Sequence, residues 1–303
     1  MAVMTELQKK LTQRLEGISM LLDEPMSRHT SFRIGGPAEV MVFPKNAEEL
    51  AAVLKESALL DIKPAILGAG TNVLAPDAGL AGIVICLKDA LDGMEQTGAN
   101  SIRVMAGVTM TRAAIFAANL GLSGMEFAHG IPGTVGGGVY MNAGAYGGEI
   151  CQICTRVWVM DMMGNVSCKS NAEMGFSYRH SLLEEEQGIV ISCEFALQEA
   201  PVDEIKSKMQ ELMIKRKTSQ PLEMPSAGSA FKRPVGGYAA ALIDQAGLKG
   251  FQVGGAAISE KHAGFAVNCG DATAEDVKSL LAQVAQRVYE NSGISLEPEV
   301  RIW

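Results

Sequence analysis

One stretch of 19 residues, 130–148, limits what this chain can fold into more than any other. It reads GIPGTVGGGVYMNAGAYGG and contains eight glycines but no lysine, arginine or aspartate. Glycine lets the backbone adopt positive φ and approach a ligand closely, whereas a flexible linker would be rich in serine and polar residues. Because Ile131, Val135 and Val139 alternate with these glycines, we predict a buried, ordered loop that cradles a flat or phosphorylated cofactor.

The composition is that of a globular protein long enough for two or three lobes. Of the 303 residues, 48% are apolar and 20% are charged, and the formal net charge is −8. An acidic chain of this kind is not expected to bind nucleic acid or an anionic membrane surface. If the ligand is anionic, positive charge must be concentrated locally.

The cysteines and the N-terminus indicate a cytoplasmic protein without a metal site. Most of the six cysteines lie in apolar runs such as IVICL and IVISC, as expected for small buried side chains in a reducing compartment. Cys151 and Cys154 form one CxxC without a second pair or adjacent histidines, so zinc is not expected. No signal-peptide core is present, and no apolar run approaches the roughly 18 residues of a membrane span.

The first part of the chain predicts a parallel α/β unit. A surface helix is expected over residues 4–22, followed by a strand over 39–43, a helix that begins at Asn46 and a strand over 65–67. This last strand runs into GAGTNVL, residues 68–74, at the carboxyl edge of the unit. The backbone N–H groups of that turn could wrap a pyrophosphate, although a plain tight turn explains a lone GxG equally well.

The middle part predicts antiparallel structure. After one more strand over 83–87, the strands of this antiparallel part are expected over 102–106, 157–161, 166–169 and 189–197, with a helix over 109–120. The turn Met163-Gly164-Asn165 favours a hairpin between two of these strands. In the following GFSYRHS segment, Arg179 could clamp a carboxylate, and a solvated turn is the alternative.

The last third begins after Pro201 with a helix whose end is basic. The segment PLEMPSAGSAFKRP, residues 221–234, then places two serines beside a glycine and cations, which suits an anionic ligand or a proton donor. Either serine alone could be a cap or a turn. A helix over 238–246, strands over 256–259 and 264–268, and a helix over 273–291 follow. Glu297 and Glu299 near the end could be charges on a strand edge.

Six motifs together resemble the UDP-N-acetylenolpyruvoylglucosamine reductase family. RIGGPAE, GAGTNVL and the glycine-rich stretch are similar to its FAD-binding half, and SYRHS, PSAGSAFKRP and LEPEVR are similar to its substrate half. The resemblance covers nearly the whole chain, from about Arg28 to Arg301. The chain lacks the inserted loop with a substrate tyrosine that one subgroup carries, so the resemblance is to the shorter subgroup.

The resemblance implies an α+β fold, with a two-lobed FAD-binding domain of the PCMH type followed by an α+β substrate-binding domain. The expected boundaries are 1–22 for an N-terminal helix, 23–200 for the FAD-binding domain and 201–303 for the substrate-binding domain. Within the FAD-binding domain, 23–88 would be the parallel lobe and 89–200 the antiparallel-rich lobe. The C-terminal tail could return to the first lobe.

The resemblance also assigns the site residues. Ser229 would be the proton donor, with Arg179 and Glu299 as its catalytic companions. The substrate contacts would be Tyr178, Lys217, Gly228 and Lys232. Noncovalent FAD would be held by Arg33, Gly68, Ala69, Gly70, Thr71, Asn72, Gly130, Ile131, Pro132, Gly133, Thr134, Gly136 and Gly137.

The implied reaction explains these residue types. NADPH would reduce the flavin, which would deliver hydride to the β-carbon of the enolpyruvyl ether of a UDP-sugar. Arg179 would stabilise the negative charge that develops, Glu299 would act in a protonated or hydrogen-bonded form, and Ser229 would protonate the α-carbon. The cations Lys215, Arg216, Lys217, Lys232 and Arg233 would offset the acidic net charge locally. The alternatives are an FAD-linked alcohol or hydroxy-acid oxidase of the same cofactor fold, or a nucleotide-binding module without catalysis.

Overall fold

The computed structural model describes residues 4–303, which form two compact units. Unit 1 comprises residues 4–22, 39–69 and 82–215, and unit 2 comprises residues 23–38, 70–81 and 216–303. This division differs from the predicted boundaries, because residues 23–38 and 70–81 pack with the C-terminal segment. The reason is a shared core in unit 2, to which Phe32, Ile34 and Leu74 contribute buried side chains.

The chain alternates short strands with eight α-helices over the described residues. The helices are α1 Glu6–Arg14, α2 Ala47–Leu59, α3 Met110–Asn119, α4 Val135–Tyr140, α5 Leu183–Glu186, α6 Val202–Ser219, α7 Ala239–Gln245 and α8 Ala274–Ser292. The strands are β1 Ser19–Pro25, β2 Pro37–Phe43, β3 Ala65–Leu67, β4 Val73–Leu74, β5 Leu80–Cys86, β6 Met94–Gly98, β7 Ser101–Met105, β8 Leu122–Ser123, β9 Gly144–Ala145, β10 Gly148–Glu149, β11 Cys154–Met160, β12 Val166–Ser170, β13 Ile189–Ala196, β14 Gln198–Glu199, β15 Ser226–Ser229, β16 Gln252–Val253, β17 Ala256–Ile258, β18 Phe265–Asn268 and β19 Arg301–Ile302.

The N-terminal helix is shorter than predicted. Helix α1 ends at Arg14, and residues expected to continue it form strand β1, so the prediction of one helix over 4–22 is wrong. Gly17, whose φ is +88°, breaks the helix because this left-handed conformation is incompatible with a helical turn. Thr5 caps the start of α1 through a capping box with Gln8.

A four-stranded sheet has the order β1-β2-β5-β3, and β3 pairs with β5 in parallel. The predicted β2–α2–β3 unit is therefore present as elements, but β2 and β3 are not neighbours, because β5 lies between them. The α2 stripe of Leu50, Val53 and Leu54 is buried, as its spacing predicts.

The antiparallel half is confirmed. A five-stranded sheet has the order β12-β11-β13-β7-β6, and each pairing in it is antiparallel. The β11–β12 hairpin turns at Gly164, which adopts φ +87°. Strand β6 was not predicted, because its sequence MEQTG is polar and almost entirely exposed.

Unit 2 is built on an antiparallel sheet and one long helix. The sheet has the order β15-β18-β17-β16, and α8 buries Val277, Leu280, Leu281, Val284 and Val288. Thr273 and Asp276 form the predicted capping box at its start. The C-terminal strand β19 pairs in parallel with β4, so the tail returns to residues 73–74. Among residues 4–303, no helix is both long and apolar enough to cross a membrane.

Candidate active site

In unit 1 the glycine-rich stretch contains a short helix. Residues 130–148 were predicted to form a loop, but Val135–Tyr140 within them is helix α4. Thr134 caps it, because its Oγ1 accepts a hydrogen bond from the Gly137 N–H at 3.4 Å. Val135 and Val139, one turn apart, are fully buried, so tertiary packing holds a helix whose glycines give it little intrinsic stability.

Gly136 and Gly137, neighbours in α4, differ in whether the surrounding atoms leave room for a side chain. A Cβ at Gly136 would lie 2.9 Å from the Ala106 Cβ, so packing alone requires glycine there. A Cβ at Gly137 would meet only the Thr134 Oγ1, at 3.6 Å, and Gly137 is exposed. Among the described residues, no close contact therefore accounts for glycine at 137, and the surface beside it is open.

The residues before α4 are anchored to helix α3. The Gly130 N–H donates to the Thr111 Oγ1 at 3.2 Å, and the Gly133 carbonyl accepts from the Met110 N–H at 2.9 Å. The Ile131 N–H donates to the Ala128 carbonyl, and Pro132 is exposed. This part of the predicted cofactor segment is an ordered turn.

The first glycine turn, residues 68–72, has unusual backbone hydrogen bonding. Over the described part of the chain, the N–H groups of Gly68, Ala69, Gly70, Thr71 and Asn72 donate to no protein acceptor. In unit 1, a Cβ at Gly68 would lie 2.7 Å from the Thr134 Oγ1, so this residue and the α4 cap are in close contact. Consecutive unpaired N–H groups form an anion-binding arrangement.

In unit 2, Gly70 is held by the segment that contains Arg33. Gly70 adopts φ +62°, and a Cβ there would collide with the His29 carbonyl oxygen. Its own carbonyl accepts from the Ser31 N–H at 3.0 Å. Arg33 is exposed and adopts φ +56°, a left-handed conformation that is uncommon for a residue with a side chain.

Unit 2 also brings together Asn72, Glu299 and the strand that carries Ser229. The Asn72 Nδ2 donates to the Glu299 carbonyl at 3.2 Å, and the Glu299 N–H donates to the Ala230 carbonyl at 2.9 Å. Ala230 directly follows Ser229, and both Ser229 and Glu299 are half-buried. Hydrogen bonds therefore link Asn72 and Glu299, which are far apart in sequence, to the residue that follows Ser229.

A bulge orients Ser229 on β15. The pairing of β15 with β18 shifts between Ser226 and Ser229, where Gly228 adopts φ +77°. A Cβ at Gly228 would meet no atom within 4 Å, so the space beside the serine is open. The Ser31 Oγ fixes the start of the strand by donating to the Ser226 carbonyl at 2.6 Å.

Arg179 lies in unit 1 on a strained turn. It adopts φ +56° between Ser177 and His180, whose backbones exchange hydrogen bonds at 3.1 and 3.3 Å. Its Nη2 donates to the Gly144 carbonyl at 3.5 Å, and its guanidinium lies 5.1 Å from the ring centre of Tyr178, which is 51% exposed. Such backbone conformations cluster at functional sites.

Some of the predicted cations have acidic partners. Lys232 pairs with Glu297, and Lys215 pairs with Glu211. Lys217 is exposed near the end of α6, and its carbonyl accepts from the Lys261 Nζ. Two further members are also engaged: Arg216 donates to the Gln220 side chain, and Arg233 stacks on Tyr238.

The cysteines include a close pair. Cys154 and Cys193 are buried with their Sγ atoms 3.4 Å apart, and burial raises the pKa of the Cys193 thiol well above its ordinary value. Cys168 and Cys269 are exposed, so the expectation of small buried side chains does not hold for these two. All six cysteines are free thiols.

The sequence analysis did not identify three polar residues whose side chains join distant segments by hydrogen bonds: Asn142, Ser31 and Asn268. Asn268 is buried; its Nδ2 donates to the Phe32 carbonyl at 3.0 Å, and its Oδ1 accepts two backbone N–H groups. A single polar residue in an apolar or glycine-rich run was the available signal, because a buried amide must find partners.

Two family models match this chain. The FAD binding domain family model matches residues 38–168, and the model of the UDP-N-acetylenolpyruvoylglucosamine reductase C-terminal domain matches residues 220–303. The predicted α+β fold, with an FAD-binding domain before a substrate-binding domain, is confirmed.

Relatives extend the similarity over the whole chain. UDP-N-acetylenolpyruvoylglucosamine reductase of Lactococcus lactis is 45% identical over 95% of this chain and 97% of its own length. That of Caldanaerobacter subterraneus is 44% identical over 97% and 96%. The crystal structure of the Thermus caldophilus reductase superposes with a TM-score of 0.79 at 36% identity, covering 94% of this chain and 98% of that one. The chain therefore belongs to the UDP-N-acetylenolpyruvoylglucosamine reductase family.

Proposed function

We propose that this protein reduces the enolpyruvyl ether of UDP-N-acetylenolpyruvoylglucosamine to UDP-N-acetylmuramate in the cytoplasm, with FAD as cofactor and NADPH as reductant. The product is a peptidoglycan precursor. The observation that carries the proposal is full-length similarity to reductases of this name, at 44–45% identity. The network of Asn72, Glu299 and the Ser229 strand adds a structural reason.

The described residues fit FAD. Over residues 4–303, the N–H groups of residues 68–72 have no protein acceptor, which suits a pyrophosphate. The open surface at Gly137 suits close approach of a ligand to the backbone. The chemistry that bound FAD supplies is hydride transfer from NADPH to the substrate carbon. The residues proposed to hold it are Arg33, Gly68, Ala69, Gly70, Thr71, Asn72, Gly130, Ile131, Pro132, Gly133, Thr134, Gly136 and Gly137.

Arg179 stabilises the negative charge that develops on the substrate. Hydride addition to the β-carbon leaves charge at the α-carbon, which spreads into the adjacent carboxylate. A guanidinium that is already in place interacts with this charge without reorganising at the moment of reaction. The strained turn at φ +56° supports such a preorganised role, and the exposed Tyr178 ring beside it is a candidate substrate contact.

Ser229 donates the proton to the α-carbon. The bulge at Gly228 interrupts the regular strand pairing just before Ser229, and the empty space beside Gly228 leaves room for the substrate. A serine hydroxyl is a weak acid, so a cation nearby assists it. Lys217 is the better candidate, since Lys232 is paired with Glu297.

Glu299 is held by backbone bonds on both sides, through its N–H to Ala230 and its carbonyl to Asn72. In this position its carboxyl group, when protonated, can donate a hydrogen bond to the carboxylate of the substrate. Its backbone bond to Ala230, the residue after Ser229, supports a joint role in protonation.

The visible spectrum of purified protein tests the proposal. It should show a flavin that heat or acid releases, that NADPH bleaches without oxygen, and that UDP-N-acetylenolpyruvoylglucosamine restores. A flavin that stays with the denatured protein and reoxidises rapidly with oxygen alone would favour the oxidase. A colourless protein that FAD cannot reconstitute would refute flavin catalysis altogether.

A further inference from the structure

Asn142 is a buried polar residue within the glycine-rich stretch of unit 1. Its side chain and backbone are 1% exposed, and it adopts φ +44°. Left-handed conformation is uncommon for residues other than glycine, and asparagine is one of the few that tolerate it. Since many residues of this stretch are glycine, an asparagine at this position calls for a reason in its side chain.

All polar atoms of the Asn142 amide are used. The Nδ2 donates to the Ser177 carbonyl at 3.0 Å and to the Glu149 Oε2 at 3.1 Å, and the Oδ1 accepts from the Cys151 N–H at 2.9 Å. An amide has two donor hydrogens and one acceptor oxygen, so aspartate, which is acceptor-only when ionised, cannot reproduce this pattern.

These bonds fasten the turn that carries Arg179. Ser177 opens the turn and is held by Asn142, while the Ser181 Oγ, just after the turn, donates to the Tyr140 carbonyl at 2.6 Å. Arg179 lies between these two anchors. The Arg179 Nη2 also donates to the Gly144 carbonyl, at 3.5 Å, so the turn and the guanidinium both contact the glycine-rich stretch.

We propose that Asn142 is a positioning residue for Arg179. It fixes the turn on the glycine-rich stretch, so that the guanidinium is in place before charge develops on the substrate. The inference rests on the proposed function, because it concerns the role of Arg179 in the substrate half-reaction. A positioning role predicts a selective effect, since hydride transfer from NADPH to the cofactor does not involve Arg179.

The first test is Asn142→Gly in the FAD-loaded protein, with the two half-reactions followed separately by anaerobic stopped-flow absorbance. Glycine keeps the left-handed backbone without strain and removes only the amide. Flavin content and reduction by NADPH should stay near the wild-type values. Reoxidation by UDP-N-acetylenolpyruvoylglucosamine should slow by about 10- to 100-fold, as expected for a displaced catalytic group.

The second test is a rescue. Asn142→Asp is nearly isosteric but places a carboxylate against the Glu149 carboxylate and the Ser177 carbonyl, so it should slow reoxidation at least as much as glycine does. Adding Glu149→Gln to the Asn142→Asp variant supplies an amide donor to the new carboxylate. The double variant should reoxidise about tenfold faster than Asn142→Asp alone. Glu149→Gln alone is the matched control and should react like wild type, because its amide oxygen still accepts from Asn142.

Two outcomes would overturn the inference. One is wild-type reoxidation in both Asn142 variants; the other is a loss in both half-reactions that follows flavin content and that Glu149→Gln does not relieve. The Arg179→Ala variant distinguishes a failure of this inference from a failure of the proposed function. If Arg179→Ala reoxidises slowly while the Asn142 variants are normal, only the positioning role is wrong. If Arg179→Ala reoxidises at the wild-type rate, the catalytic role of Arg179 is itself wrong.

Discussion

Gly136 and Gly137 are neighbours in α4, yet replacing each with alanine should have opposite effects. At Gly136 the new Cβ would lie 2.9 Å from the Cβ of Ala106, which is 1% exposed. The Gly136 N–H also donates to the Ala106 carbonyl at 2.9 Å, so the two segments cannot separate without losing this bond. At Gly137 the nearest atom is the Thr134 Oγ1, at an ordinary contact distance of 3.6 Å.

These contacts determine the expected changes in the free energy of unfolding. Overpacking at Gly136 should lower the free energy of unfolding by about 1–3 kcal/mol. Alanine at 137 should raise it by roughly 0.5–1 kcal/mol, because glycine is unfavourable in a helix. The two variants should therefore differ by about 1.5–4 kcal/mol without flavin. If FAD lies on the open surface at Gly137, the methyl group of Gly137→Ala should also weaken FAD binding at least about tenfold, which corresponds to about 1.4 kcal/mol.

Urea unfolding of the FAD-free protein measures the first quantity, and titration of flavin fluorescence measures the second. The expected pattern for Gly137→Ala is a stable protein that binds FAD weakly. Wild-type FAD affinity in this variant would show that the open surface does not contact the cofactor. Unchanged stability of Gly136→Ala would show that contact with Ala106 does not require glycine.

Three further predictions concern other parts of the molecule. Ser229→Ala should leave bleaching by NADPH intact and slow reoxidation by the substrate about 10²–10⁴-fold in stopped-flow measurements, while Ser226→Ala should do much less; equal slowing of both half-reactions would contradict proton donation. Lys217→Ala should raise the KM for the UDP-sugar more than it changes flavin content, and a change in stability alone would instead support a role at the helix end. The pKa of Asp276 is lowered by hydrogen bonds, first of all from Thr273, so the stabilisation it contributes is present at neutral pH and is lost as the pH falls through this lowered pKa. In urea titrations below pH 4, Asp276→Asn should therefore lose less stability than wild type; equal losses would show that Asp276 is not responsible.

Elements with strong local signals were predictable from the sequence. Helix α8 has an apolar face at helical spacing and a capping box at Thr273, and the β11–β12 hairpin has a glycine at its turn. These signals work because helical periodicity, caps and turns involve residues a few positions apart. The resemblance of short motifs also identified the family, and with it Ser229, Arg179 and Glu299 as candidates.

Helix α4 could not be predicted in this way. Its sequence VGGGVY has poor helix propensity, and the helix exists because Val135 and Val139 are buried and Gly136 fits against Ala106. In the same way, the prediction of one helix over 4–22 followed the spacing of the leucines. The left-handed backbone at Gly17 ended that helix, and sheet pairing then decided that the following residues form a strand.

Short sequence motifs identified the candidate site residues, whereas the hydrogen bonds that join distant candidates depend on the tertiary structure. The bond from Asn72 to Glu299 joins residues 227 positions apart, and the bond from Asn142 to Ser177 spans 35. Neither pair has a local pattern, because a hydrogen bond between distant segments depends on how the whole chain packs. For Asn142, which is buried, the physical reason is that a polar group removed from water must find its partner wherever the fold brings one.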